Sequence, residues 1–264
     1  MSGWPGPPAS ATSRETSLVM KPRNSLPAAH AVPRTLRLGL SVLPQGHSLT
    51  CDAVLFDMDG TLIDSRACLE QTWRAWCARH GLDVDAVLRI SHGRQNGDTV
   101  RIVAPHLDRD NEIAALARAQ EDCRDGIVAV RGARRLLAQL APARWAVVTS
   151  AWRRLAEIRL ECAGLPLPSV LITADEIQRG KPNPAGYLSA AARLGIKPAA
   201  CVVVEDAPAG IAAARAAGMR VIGITTTVRR EELGCQWVID DLMSLTVRTR
   251  PGRDVEQPSS DRDT

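Results

Sequence analysis

Lysine is nearly missing from this chain: Lys21, Lys181 and Lys197 stand beside thirty arginines in 264 residues. Aromatic residues are scarce too, at 3 %, with one Phe and one Tyr. Leu, Val, Ile and Ala must therefore fill the core, and an apolar fraction of 45 % is ordinary for a globular protein. No apolar run approaches the roughly 18 residues of a membrane-spanning helix. The seven cysteines are scattered and form no C-x-x-C pair. That argues against a zinc site or a disulfide framework and fits reduced thiols in the cytoplasm. A basic face is lacking as well. The net charge of +4 is carried by residues 1–50, with five Arg or Lys and one Glu, so residues 51–264 are neutral overall. A nucleic-acid-binding fold would want clustered basic charge.

Residues 1–50 are rich in Pro, Ser, Ala and Arg and show no sustained periodicity, which predicts a disordered extension. The run Leu36–Leu43 is too short and too interrupted for a signal-peptide core. On this reading the fold loses nothing without the first 45 residues. Residues 248–264 are polar and read as a flexible tail.

What is present begins at Cys51. Ala53, Val54, Leu55 and Phe56 form an unbroken apolar run, as expected of a strand buried on both faces of a parallel sheet. The run stops at Asp57-Met58-Asp59-Gly60. Residues i and i+2 of a strand point the same way. Asp57 and Asp59 therefore crowd together past the strand's carboxyl end, where open α/β sheets bind ligands. Two such acids need a shared proton or a cation, and a hard ion such as Mg²⁺ suits oxygen ligands.

Residues 66–130 read as helical throughout. Leu69, Trp73, Trp76 and His80 share one helical face, and shorter helices follow at Val87–Ile90, Val100–Val103 and Ile113–Ala117. From 131 to 247 strands and helices alternate. The strands at Trp145–Val148, Val170–Ile172, Cys201–Val204 and Arg220–Ile224 are separated by helices, which means a doubly wound parallel sheet. Thr149-Ser150 and Glu205-Asp206 then fall at strand carboxyl ends, on the same edge as Asp57.

D-M-D-G-T-L-I-D-S, Val147-Val148-Thr149-Ser150, Gly180-Lys181-Pro182 and Val202-Val203-Val204-Glu205-Asp206, in that order, resemble the four motifs of the haloacid dehalogenase-like phosphatases. The resemblance covers roughly residues 52–241. His92-Gly93-Arg94-Gln95 and Gly180-Lys181-Pro182-Asn183-Pro184 look more narrowly like the sugar and hexitol phosphatases of that family. The resemblance implies a Rossmann-like α/β core (51–65 and 131–247) with an inserted α-helical cap (66–130).

It also implies roles. Asp57 is the nucleophile that becomes an aspartyl-phosphate. Asp59 is the general acid and then the base. Thr149, Ser150 and Lys181 bind the phosphoryl group; a compact ammonium suits this position better than a guanidinium. Mg²⁺ is held by Asp57, Glu205 and Asp206 and by the backbone carbonyl of Asp59. Arg94, Gln95 and Trp152 are the candidates for substrate selection. The expected substrate is a small phosphorylated sugar or polyol, with no nucleic-acid or membrane partner and a cytoplasmic location.

Neighbouring activities separate on single residues. A dehalogenase needs no acid at 59. A phosphonate-cleaving relative would want a cap lysine, and residues 66–130 contain none. A β-phosphoglucomutase-like mutase uses the same core residues and stays open. A phospho-receiver switch needs neither a leaving-group acid nor a helical insert.

Overall fold

The structure, a computed structural model, describes residues 36–43, 46–91 and 94–251. Residues 1–35, Pro44, Gln45, His92, Gly93 and the tail from 252 onward lie outside the described residues. In chain order the strands and α-helices are β1 (Leu36–Val42), β2 (His47–Cys51), β3 (Ala53–Phe56), β4 (Ile63–Asp64), α1 (Arg66–His80), α2 (Val84–Ser91), α3 (Asn96–Val103), α4 (Arg109–Asp122), β5 (Val128–Ala129), α5 (Ala133–Leu137), β6 (Trp145–Val148), α6 (Arg153–Cys162), β7 (Leu171–Ile172), α7 (Ala185–Leu194), β8 (Cys201–Glu205), α8 (Pro208–Ala216), β9 (Arg220–Ile224), α9 (Arg230–Leu233), β10 (Trp237–Ile239) and β11 (Leu245–Pro251).

Six strands form a parallel sheet in the order β10-β9-β8-β3-β6-β7. Each central strand is apolar on both faces because each face is covered. Val54, Phe56, Val202 and Val204 point to one side, where α5 and α6 bring Leu136, Leu155 and Leu160. Ala53, Leu55, Val203 and Val221 point to the other, where α7 and α8 bring Tyr187, Ala190 and Ile211. The result is a doubly wound α/β core. β3 lies between β6 and β8, so the chain ends that follow these three strands meet at one edge of the sheet.

Helices α1–α4 stand between β4 and β5, two short strands that pair antiparallel. They have a small core of their own, with Trp73 and Trp76 sealed from solvent and packed edge to face at 5.3 Å. Cys68 and Cys123, at opposite ends of this helical segment, form a disulfide with a Cα–Cα separation of 5.8 Å. This corrects the expectation of seven reduced thiols. The pairing is invisible in the sequence because 55 residues separate the two and only the packing of α1 against α4 joins them.

A second correction concerns the chain ends. Residues 36–42 and 47–50 are not disordered: β1 pairs antiparallel with β2 and, on its other side, with β11. Residues 248–251, assigned to the tail, belong to that same β11. Leu38, Leu40 and Val42 alternate inward and join the main apolar cluster with Leu49 and Leu245. The alternation L-R-L-G-L-S-V was present in the sequence. Its partner strand lies some two hundred residues away, and only the folded register couples the two ends.

Candidate active site

Asp57 follows β3, Thr149 and Ser150 follow β6, Glu205 ends β8 and Asp206 follows it. Parallel pairing of the three strands brings these five residues together. Lys181 arrives from the loop before α7. Its ammonium donates to Asp57 Oδ1 and, at 2.6 Å, to Glu205 Oε1. All three side chains are buried. Glu205 is further held by the Tyr187 hydroxyl at 3.1 Å and by the Ala207 N–H at 2.9 Å. Asp206 accepts from Thr61 Oγ1 at 3.3 Å and from Thr227 Oγ1.

The backbone is shaped around these carboxylates. Gly60 has φ +89°, and a Cβ built there would lie 2.0 Å from Asp206 Oδ2. A Cβ on Gly210, in α8, would lie 1.5 Å from Glu205 Oε1.

Carboxylate oxygens of Asp57, Glu205 and Asp206 lie within 4.8 Å of one another, a cluster of hard donors able to hold a metal ion. Three buried carboxyls face a single ammonium. Burial pushes the Asp57 carboxyl well above its ordinary range, against the pull of Lys181, and Glu205 and Asp206 add to the rise. Asp206 is pushed up to about 7, by burial first and by Glu205 second. Burial disfavours the Lys181 ammonium, but Asp57 and Glu205 outweigh it and raise its affinity for the proton.

Asp59 turns away from this cluster. Ser65 Oγ donates to its Oδ1 at 2.6 Å, and Arg159 Nη1 lies 2.8 Å from its Oδ2. Its carboxylate borders a cleft shared by core and helical insert. Asp57, Thr149 and Trp152 form one side, and Arg94, Asn96 and Gln120 the other. Asn96 and Gln120 pair through their amides at 3.2 and 3.4 Å. Trp152 lines the cleft, and its Nε1 donates to Glu121 of α4 at 2.7 Å, tying α4 to the start of α6. Gln95 lines an adjoining recess with Thr149, Ser150, Gly180 and Lys181.

Asp57, Thr149, Ser150, Lys181, Glu205 and Asp206 thus converge at one edge of the sheet, Asp59 and Trp152 border the cleft beside them, and Arg94 and Gln95 reach the cleft and an adjoining recess from the helical insert. Others went unnoticed. Tyr187 carried a signal, since it is the chain's single tyrosine. Thr227 carried another: a Thr-Thr-Thr run directly after β9 puts hydroxyls on the edge where the acids lie. Ser65 closes the first motif. Arg159 had no signal, because in E-I-R-L-E it reads as one more charge on a helix, yet it is buried.

Comparison with known proteins agrees with this geometry. Residues 51–218 match the family described as haloacid dehalogenase-like hydrolase. Hexitol phosphatase A of Escherichia coli strain K12 is 40 % identical over 213 residues, which span 78 % of this chain and 99 % of that one. Validoxylamine A 7'-phosphate phosphatase of Streptomyces hygroscopicus subsp. limoneus is 43 % identical over 189 residues, 68 % of this chain and 88 % of that one. Among solved structures, a hydrolase from Pseudomonas syringae superposes with a TM-score of 0.67 at 25 % identity, covering 74 % of this chain and 95 % of that one.

Proposed function

Because the chain belongs to the haloacid dehalogenase-like hydrolases, we propose that it is a Mg²⁺-dependent phosphatase of small sugar or sugar-alcohol phosphates. The observation that carries the reading is the buried set Asp57, Lys181, Glu205 and Asp206, placed beside Asp59 under a cleft lined by polar side chains. The substrate class rests on relatives named as phosphatases, one of them of hexitols, and on the Arg, Asn and Gln side chains of the cleft.

Three carboxyls against one ammonium leave an excess of negative charge, and oxygen is the donor type that Mg²⁺ takes. Asp57, Glu205 and Asp206 would hold the ion, which when bound supplies charge neutralisation between nucleophile and phosphoryl oxygens. The chain's own groups do the rest. Asp57 attacks phosphorus, and the ester bond breaks as Asp59 gives its proton to the departing oxygen. This leaves a phosphoryl group on Asp57. Water then attacks phosphorus, its proton passes to Asp59, and the acyl-phosphate bond breaks to free Asp57 and phosphate. Lys181, Thr149 and Ser150 neutralise and orient the phosphoryl oxygens in both steps. Arg94, Gln95 and Trp152 shape the cleft over the leaving group. No described helix is long and apolar enough to cross a membrane.

The test is phosphate release from a panel of phosphorylated hexoses, hexitols, glycerol and glycolate, in Mg²⁺ and in EDTA, with Asp57→Asn as control. Mg²⁺-dependent release concentrated on sugar or polyol phosphates, lost in the control, is expected. No release, with conversion of β-glucose 1-phosphate to the 6-phosphate, would overturn the reading in favour of a mutase.

A further inference from the structure

Three hydroxyls in a row follow β9, and each has a different partner. Thr225 Oγ1 donates to Asp240 Oδ1 at 3.2 Å. Thr226 Oγ1 donates to the carbonyl of Gly60, and Thr227 Oγ1 to Asp206 Oδ2. In the sheet β9 lies beside β8, and β8 beside β3. The loop therefore crosses the end of β8 to reach the turn after β3, and it bonds to both. The fit is close: a Cβ on Gly60 would lie 2.6 Å from Thr227 Oγ1.

Asp206 depends on such a partner. Lys181 donates to Asp57 and Glu205. Asp206, buried beside these two acids, is held by hydroxyls. Thr61 Oγ1 lies 3.3 Å from Oδ1, at the long end for a hydroxyl contact, so Thr227 is the nearer donor. Neighbouring carboxylates repel one another, and an unheld Asp side chain would rotate away from them. A hydroxyl is uncharged. It fixes the direction of the carboxylate and leaves its negative charge for a cation, which a lysine or arginine partner would not do.

We infer that Thr227 is a positioning residue for metal binding: its hydroxyl aims the Asp206 carboxylate at the ion that Asp57, Glu205 and Asp206 would hold, while Thr226 fixes the Gly60 turn against the same loop. This rests on the Mg²⁺ reading and deepens it, by assigning part of the site's affinity to a loop that supplies none of its charge. Outer partners of ligating groups are worth about 10- to 100-fold in metal affinity.

Metal binding is read without substrate. The Tm of the metal-free protein is followed against Mg²⁺ concentration, and a weaker site moves the curve along the concentration axis by the ratio of dissociation constants. Thr227→Val keeps the shape, deletes the hydroxyl, and should move the curve to at least about tenfold higher Mg²⁺. Thr227→Ser keeps the hydroxyl and should bind as wild type does. Thr225→Val deletes the neighbouring hydroxyl, whose partner Asp240 is exposed, and should leave the curve in place. If Thr227→Val does not fold, Thr227→Ala against Thr227→Ser makes the same comparison, since those two differ by the hydroxyl alone. A Val curve that coincides with wild type, or a Ser curve displaced as far as Val, would overturn the inference and leave the Mg²⁺ reading standing. Equal displacement by Thr225→Val would also overturn it, because general damage to the loop would then explain the loss. A wild-type Tm that Mg²⁺ does not raise would instead remove the metal reading, and this inference with it.

Discussion

The hydroxyl of Tyr187 donates to Glu205 at 3.1 Å in a site that solvent does not reach. The same ring lies 5.4 Å from the Lys181 ammonium, so it supports both members of the Lys181–Glu205 pair. Tyr187→Phe keeps the ring and deletes the donor. Glu205 retains Lys181 and the Ala207 N–H, so the expected loss is about 1 kcal/mol of stability, the net worth of one hydrogen bond. Urea unfolding measures it. A variant as stable as wild type would mean that the contact contributes nothing.

Asp59→Asn removes the proposed proton donor and keeps the shape. Alkyl phosphates should slow by about 10²- to 10⁴-fold, the range of general acid catalysis. Aryl phosphates such as 4-nitrophenyl phosphate leave without a proton and should be hurt far less in the first step. Equal losses on both substrate types would remove Asp59 from the acid role.

Metal and pH should act on stability together. The Asp206 carboxyl titrates at about 7 in the fold against an ordinary value of 3.8, because burial and Glu205 disfavour its charge. The folded chain therefore binds this proton more tightly than the unfolded chain. The resulting stability is fully present below pH 4 and is lost as pH rises through 7. Asp57 shifts in the same direction for the same first cause. In EDTA, Tm should fall between pH 5 and 8 by at least about 3 °C, and Mg²⁺ should restore more at pH 8 than at pH 5. A thermal melt series reads this. A Mg²⁺ increment that shrinks with rising pH would contradict the account.

Removing residues 1–45 should destabilise the core. Leu38, Leu40 and Val42 are buried, and each such side chain contributes about 1.5–3 kcal/mol. β11 would also lose its β1 partner along seven register positions. The urea midpoint of the shortened chain should drop clearly, and an unchanged midpoint would show that the small sheet is dispensable.

The doubly wound sheet and the candidate site residues were legible because each signal is local. A buried strand writes a short apolar run, a strand end writes its acids within two or three residues, and a lysine in an arginine-rich chain marks itself. Parallel pairing then brings strand ends together whatever lies between them. What the chain could not reveal locally is which distant segments share a surface. The partnership of β1 with β11, the joining of Cys68 to Cys123, and the approach of Arg159 to Asp59 across 100 positions all depend on packing between elements far apart in sequence. A charge on a helix and a charge paired with Asp59 look the same in a string of letters. They differ in burial and in partners, and those are properties of the folded chain alone.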